Sequence, residues 1–188
     1  IQLEEAKYKL QGMRENIKEL GKNSVYYLPY LMGERTPHNN PNARGVFAGL
    51  SLDTTREDMT LAVMEGVSYG LRDALEIARS FGVEITRIRA IGGGAKSPLW
   101  CKVLANVMNV KVDKINCEEG PGYGAAILAA VGCGVYSSVE EAAAKFITVV
   151  DTIEQDPAIV EEYEKRYQVF KSIYPVLVPV FDKIVECE

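Results

Sequence analysis

Residues Ile88 to Met108 read IRAIGGGAKSPLWCKVLANVM, a β-prone run, three glycines with an alanine, and then an apolar-periodic stretch. That order is strand, turn, helix. Three glycines let the backbone pass close to a bulky ligand, while Ser97 as N-cap and Pro98 at the first helical position fix where the helix begins. A helix N-terminus behind such a turn suits an anion, because its free N–H groups and dipole favour negative charge. The cofactor-binding candidates are therefore Gly92, Gly93, Gly94, Ala95, Ser97 and Pro98. Two common nucleotide fingerprints are excluded: G-x-G-x-x-G needs glycine where Ser97 stands, and Walker A needs glycine where Ala90 and Ala95 stand. On these residues alone the turn is a nucleotide site or a plain connector.

Working outward, a strand at Ile85–Ile91 precedes the turn, and a helix Ser97–Met108 and a strand Val110–Ile115 follow it. Gly120 to Ala126, GPGYGAA, opens a small-residue helix over Tyr123–Val131, either squeezed against a neighbour or forming the second wall of a nucleotide pocket. Ser138 caps a helix Val139–Phe146. A last amphipathic helix runs from Pro157 to about Tyr174, interrupted by Pro175 and Pro179.

Upstream, Met59, Val63, Val67, Leu71, Leu75 and Ala78 recur every three or four residues, which predicts a helix to Phe81. Thr55 and Asp58 form its capping box. Before it lie strands at Ser24–Leu31 and Gly45–Leu52, joined by a Gly/Pro/Asn-rich loop, Gly33–Gly45. A helix over Leu3–Leu20, stopped by Gly21, opens the chain. Strands alternating with helices predict an α/β domain.

Composition narrows the chemistry. The chain has 188 residues, 21 basic and 26 acidic, for a net charge of −5. That balance argues against general affinity for nucleic acid or anionic membrane. A single histidine, His38, removes histidine-rich metal sites, and Cys101, Cys117, Cys133 and Cys187 contain no C-x-x-C pair. They suit reduced, mostly buried thiols in a cytoplasmic protein, and no metal site is expected. No apolar run approaches the roughly 20 residues of a membrane helix. The start at Ile1 suggests a piece of a longer chain.

Other polar residues read as structural. Arg35 or Arg44 in the long loop could meet a phosphate or carboxylate, with one of them at a domain interface. Glu65 with Arg72 and Asp73 is a satisfied network or a site; Glu161, Glu162 and Glu164 read as a solvated helix face. No carboxylate pair stands out as acid and base, so no catalytic residue is assigned.

Gly45-x-Phe47-x-Gly49-Leu50, seven residues, and then Asp58-Met59-x-x-Ala62-Val63-Met64-Glu65 resemble the C-terminal pattern of the FGGY carbohydrate kinases. The resemblance continues through Gly92–Ala95 and Glu119–Ala126, and within the family it is strongest to the xylulokinases. It implies a ribonuclease-H-like, actin-type ATPase domain with a mixed sheet flanked by helices. The whole of 1–188 would be the nucleotide-binding domain, with 1–22 a leading helix from the segment joining it to an N-terminal domain. It also implies ATP and Mg²⁺ as cofactors and phosphorylation of D-xylulose to D-xylulose 5-phosphate. Gluconate, ribulose and fuculose kinases, or a non-catalytic actin-like module, are the alternatives. The family's catalytic aspartate and most sugar contacts lie in the N-terminal half, so this chain alone is expected to be inactive. Gly93, Gly94 and Ala95 would contact the nucleotide; some members carry Asn where Pro98 stands here. A domain with an uncovered apolar face could also form a homodimer.

Overall fold

The computed structural model describes residues 19–117 and 120–187, and nearly all of the helix expected over Leu3–Leu20 lies outside them. Gly21, the expected stop, holds a φ of +84°, which glycine adopts freely.

Two sheets organise the chain. Strands β1 (Tyr26–Leu28) and β2 (Val46–Ala48) form an antiparallel pair, with Tyr27 opposite Phe47 and their rings 4.6 Å apart. Both are shorter than expected, because Pro29 ends the first and Gly49, at a φ of +85°, turns the chain after the second. The second sheet has the order β3 (Arg87–Ala90), β4 (Lys111–Ile115), β5 (Val149–Ile153). β3 and β4 are parallel, β4 and β5 antiparallel, so the sheet is mixed. β5 is absent from the sequence reading. Its run VVDTI is β-branched, but it is only five residues long and largely exposed, so no alternation of buried and exposed positions marks it.

The helices are α1 (Arg56–Ser80), α2 (Pro98–Met108), α3 (Gly120–Gly132), α4 (Val139–Phe146) and α5 (Pro157–Glu186). Local signals placed their starts well. Thr55 accepts from Asp58 N at 3.1 Å while Asp58 accepts from Thr55 N at 2.9 Å, a complete capping box. Ser138 caps α4 by accepting from Glu141 N, and Asp156 caps α5 ahead of Pro157.

The end of the last helix needs correction. α5 does not stop at Tyr174 but runs 30 residues with Pro175 and Pro179 inside it. Both prolines are exposed and lie four residues apart, and the carbonyls they leave unbonded belong to Lys171 and Pro175, also exposed, while Tyr174, Leu177 and Phe181 pack inward on the core. The helix expected to end at Phe81 forms as α1, with its repeat of apolar residues away from the core. None of Met59, Val63, Val67, Leu71, Leu75 and Ala78 is buried; the inner face is Leu61, Ala62, Glu65, Gly66, Ser68, Tyr69, Arg72 and Asp73.

That inner face closes the main core. Leu61 and Tyr69 join Leu28 and Tyr30 behind β1, Val103 and Val107 of α2, and Tyr163, Tyr167, Phe170 and Phe181 of α5. Gly66 is obligatory there: a Cβ would sit 2.1 Å from the carbonyl oxygen of Tyr27. A smaller cluster, Cys101, Ala105 and Val112 with Ile88 and Ala90, fixes α2 against β3 and β4. The thiols divide: Cys101 is buried and Cys117 half-buried, but Cys133 and Cys187 are exposed, contrary to the expectation of mostly buried cysteines. No helix among the described residues is long and apolar enough to cross a membrane.

Candidate nucleotide site

The turn after β3 begins at Gly92, whose φ of +78° is favourable only for glycine; a Cβ there would touch nothing, so conformation and not space demands the residue. Gly93–Lys96 then wind into one 3₁₀ turn. Ala95 N and Ser97 N donate back to the carbonyls of Gly92 and Gly94, while the N–H groups of Gly93 and Gly94 open the turn, where no intrahelical acceptor exists. Gly94 is pressed under Trp100: a Cβ would lie 2.9 Å from the indole. Gly93 faces open space. Ser97 caps α2, its Oγ accepting from Trp100 N at 3.3 Å, and Pro98 occupies the first helical position.

Two cavities flank the carboxyl ends of the parallel strands β3 and β4, where open α/β sheets place their ligands. One, of about 210 Å³, is lined by Ala90, Gly92, Ala95, Lys96, Lys114, Ile115, Cys117 and Val150. The other, of about 200 Å³, is more apolar, with Ile91, Ile115, Tyr123 and Ile127 beside Arg89, Cys117, Gly120 and Gly124. They abut through Ile115 and Cys117. The two glycine-rich helix starts thus meet at one end of the sheet, and Gly120 makes this possible, since a Cβ would collide with Ile91 Cδ1 at 2.3 Å.

Of the six candidate residues, Gly92 and Ala95 line the first cavity; Gly93, Gly94, Ser97 and Pro98 line neither, and Ser97 Oγ is committed to the helix cap. Sequence reasoning missed Lys96, Lys114 and Arg89, cations gathered round the two cavities. Alternation in RIRA and KVDKI could not have gathered the two strand residues, because Lys114 shares its face with Val112 of the small core while Arg89 stands on the opposite face.

The other polar candidates are structural. Arg44 donates to the carbonyl oxygens of Pro41, Asn42 and Ala43 and stiffens its own loop. Arg35 is exposed. Glu34 accepts from the N–H groups of Thr36 and His38, and His38 stacks on Tyr174 at 3.7 Å, strapping the loop to α5. Glu65, buried under α5, accepts from Arg166 Nη2 at 2.9 Å and Tyr163 Oη at 3.0 Å; burial nevertheless pushes its carboxyl up to about 7. Arg72 joins the carbonyl of Val107 to Glu164, so Glu164 is not part of a purely solvated face. Asp73 accepts from Tyr167 Oη at 2.6 Å. Among the described residues, no three His, Cys, Asp or Glu side chains converge on a possible metal site.

The C-terminal domain model of the FGGY family of carbohydrate kinases matches residues 3–133. The chain belongs to that family. It is 42% identical over 156 residues to the xylulose kinase of Staphylococcus epidermidis, covering 83% of this chain and 32% of that protein. Among solved structures, the ligand-bound xylulose kinase of Lactobacillus acidophilus superposes with a TM-score of 0.82 at 27% identity, over 93% of this chain and 35% of that one. The gluconate kinase of the same organism gives 0.81 at 27%, with the same coverage. The domain therefore has the actin-type ATPase fold of FGGY sugar kinases, and the chain spans about a third of the length of the curated relatives it matches.

Proposed function

We propose that this chain is the nucleotide-binding part of a cytoplasmic ATP-dependent sugar kinase that converts D-xylulose to D-xylulose 5-phosphate. One observation carries the reading: the glycine turn stands at the carboxyl ends of the parallel strands and lines a cavity with Gly92 and Ala95. The chemistry of the surroundings fits a nucleotide. The apolar cavity beside Tyr123 and Ile127 suits a base, and Lys96, Lys114 and Arg89 suit polyphosphate. Gly93, Gly94 and Ala95 are the contacts proposed at the turn; Ser97 and Pro98 act by fixing the start of α2. Xylulose is favoured by the family relative at 42% identity, and gluconate is the second reading because the gluconate kinase superposes equally well.

ATP would supply the transferred phosphoryl group, and Mg²⁺ would travel on its phosphates, since such ions are held by few protein carboxylates and retain water. The chain's own part is to bind, orient and screen the nucleotide. No carboxylate among the described residues lines either cavity, so none is placed to take a proton from a sugar hydroxyl. Phosphoryl transfer requires nucleophile, phosphate and metal to be positioned together. The 188-residue chain is thus expected to bind Mg-ATP without turnover. Calorimetric titration with Mg-ATP should give saturable heat, and its absence would sink the nucleotide assignment. ADP production dependent on both ATP and xylulose would overturn the inactivity.

A further inference from the structure

Gly93 and Gly94 are alike in sequence but not in setting. A Cβ at Gly93 would meet nothing, whereas one at Gly94 would lie 2.9 Å from Cζ3 and 3.0 Å from Cε3 of Trp100, the chain's one tryptophan. Gly94 does not hold a positive φ, so its missing side chain answers to the indole and not to the backbone. Behind the contact, Trp100 packs against the main core, which denies the ring room to retreat. The next residue grips the same turn: Cys101 Sγ donates to the carbonyl oxygen of Ala95 at 3.5 Å.

Hydrogen bonding is not what calls for an indole here. Trp100 Nε1 is buried and finds no acceptor among the described residues, and a donor shut away without a partner costs stability. A phenylalanine would fill much of the same space without that cost, but its single ring stops short of Gly94. What the indole adds is reach.

We propose that Trp100 is a positioning residue for nucleotide binding, its outer ring acting as a fixed stop that sets where Gly94 stands. The proposal rests on the turn being a nucleotide site. Trp100 lines neither cavity, so its action passes through the turn. The N–H groups that open the turn belong to Gly93 and Gly94, and Ala95 and Lys96, which line the first cavity, follow them in the same 3₁₀ turn. A displacement at Gly94 is therefore handed to every group the turn presents. Donors held in place before the ligand arrives bind more tightly than donors that must be ordered, so a turn freed from its stop loses affinity without losing the fold.

A double-mutant cycle in the 188-residue chain tests this, with Mg-ATP affinity read by calorimetric titration and melting temperature read on every variant. Trp100→Phe should weaken binding by about tenfold while the melting temperature stays within about 2 °C of wild type, since the lost contact is offset by removal of the unbonded donor. Gly94→Ala should also weaken binding, because its methyl drives the turn off the ring. Together the two changes should restore affinity to within about threefold of wild type, the methyl filling the space the outer ring has left. Should Gly94→Ala alone not fold, wild type, Trp100→Phe and the double variant carry the same decision. A wild-type chain that takes up no Mg-ATP would sink the nucleotide reading and this proposal with it. Where the wild type binds, three results would overturn the proposal alone: Trp100→Phe binding as tightly as wild type, losses that multiply in the double variant, or a loss of affinity matched by an early melt, which is the mark of a merely structural residue.

Discussion

The seam between α1 and α5 and the strand ends around Gly92 are built on opposite rules. In the seam, long charged and aromatic side chains fill the space and hydrogen-bond one another: Glu65 with Arg166 and Tyr163, Asp73 with Tyr167, Arg72 with Glu164. At the strand ends the turn is made of glycines and an alanine, and the cations lie round cavities. The difference teaches where to look for function. Ionisable residues draw attention in a sequence, but the carboxylates of the seam are taken up by partners, and the cavities with room for a ligand lie at the strand ends instead.

The sharpest way to break the comparison is to remove one partner from the seam. Arg166→Met leaves Glu65, 1% exposed, without its cation and takes a donor from the carbonyl of Val25. A loss of about 3–5 kcal/mol in urea unfolding is expected, as for other broken buried pairs. Nucleotide affinity of the fraction that remains folded should not change. Replacing Glu65 as well, by leucine, should return much of the stability, because the cost lies in the stranded charge and not in the missing bridge.

A second prediction concerns pH. Burial raises the Glu65 carboxyl to about 7, above its ordinary range near 4.3, so the folded chain holds that proton more tightly than the unfolded chain does. The stability from this group is full below its unfolded pKa and is lost as pH rises toward and through 7. Asp73 moves in the same direction by burial, while exposed Glu141 and Glu162 are shifted down by their partners Ser137 and Lys165 and oppose the trend. Comparing the wild type with Glu65→Gln isolates the one group. The variant should lose a slope of up to about 1.4 kcal/mol per pH unit over that window, and parallel curves would show that Arg166 keeps Glu65 ionised throughout.

The strand-end region should respond in the reverse sense. Gly92→Ala adds a methyl that touches nothing but must sit at a φ of +78°, so about 1–2 kcal/mol of stability is expected to go. Its effect on Mg-ATP affinity, read by titration, should exceed anything produced by Arg166→Met, because the turn that presents Gly93 and Gly94 is re-aimed.

The same contrast explains what was legible in the sequence. Elements set by local chemistry read correctly: the Thr55–Asp58 box, Ser97-Pro98 and Ser138. Elements set by distant neighbours did not. The periodicity of α1 was real, but period alone does not say which face is the core. Here Tyr163, Arg166 and Tyr167, about a hundred residues away, draw the charged face inward. β5 is held by pairing with β4 more than by its own pattern, and Pro175 and Pro179 stand on the exposed side of α5, as do Lys171 and Pro175, whose carbonyls they leave unbonded. The glycine turn was legible as a place, but the cations beside it become a group only when β3 and β4 are aligned in parallel.

The smallest effect separates the two uses a serine can have at a helix start. Ser97 Oγ accepts from Trp100 N, so Ser97→Ala should cost about 1 kcal/mol through the lost cap. If capping is its whole role, Mg-ATP affinity stays within error of wild type, while Gly92→Ala, of comparable cost in stability, lowers it. A Ser97→Ala chain that loses affinity as steeply as Gly92→Ala would place the hydroxyl on the nucleotide. It would also mean that the cap exchanges its backbone donor for a ligand on binding. Ser97→Asp then decides the matter: the carboxylate caps at least as well as serine but repels a polyphosphate, so retained affinity would confine residue 97 to the helix and lost affinity would put it within reach of the phosphates.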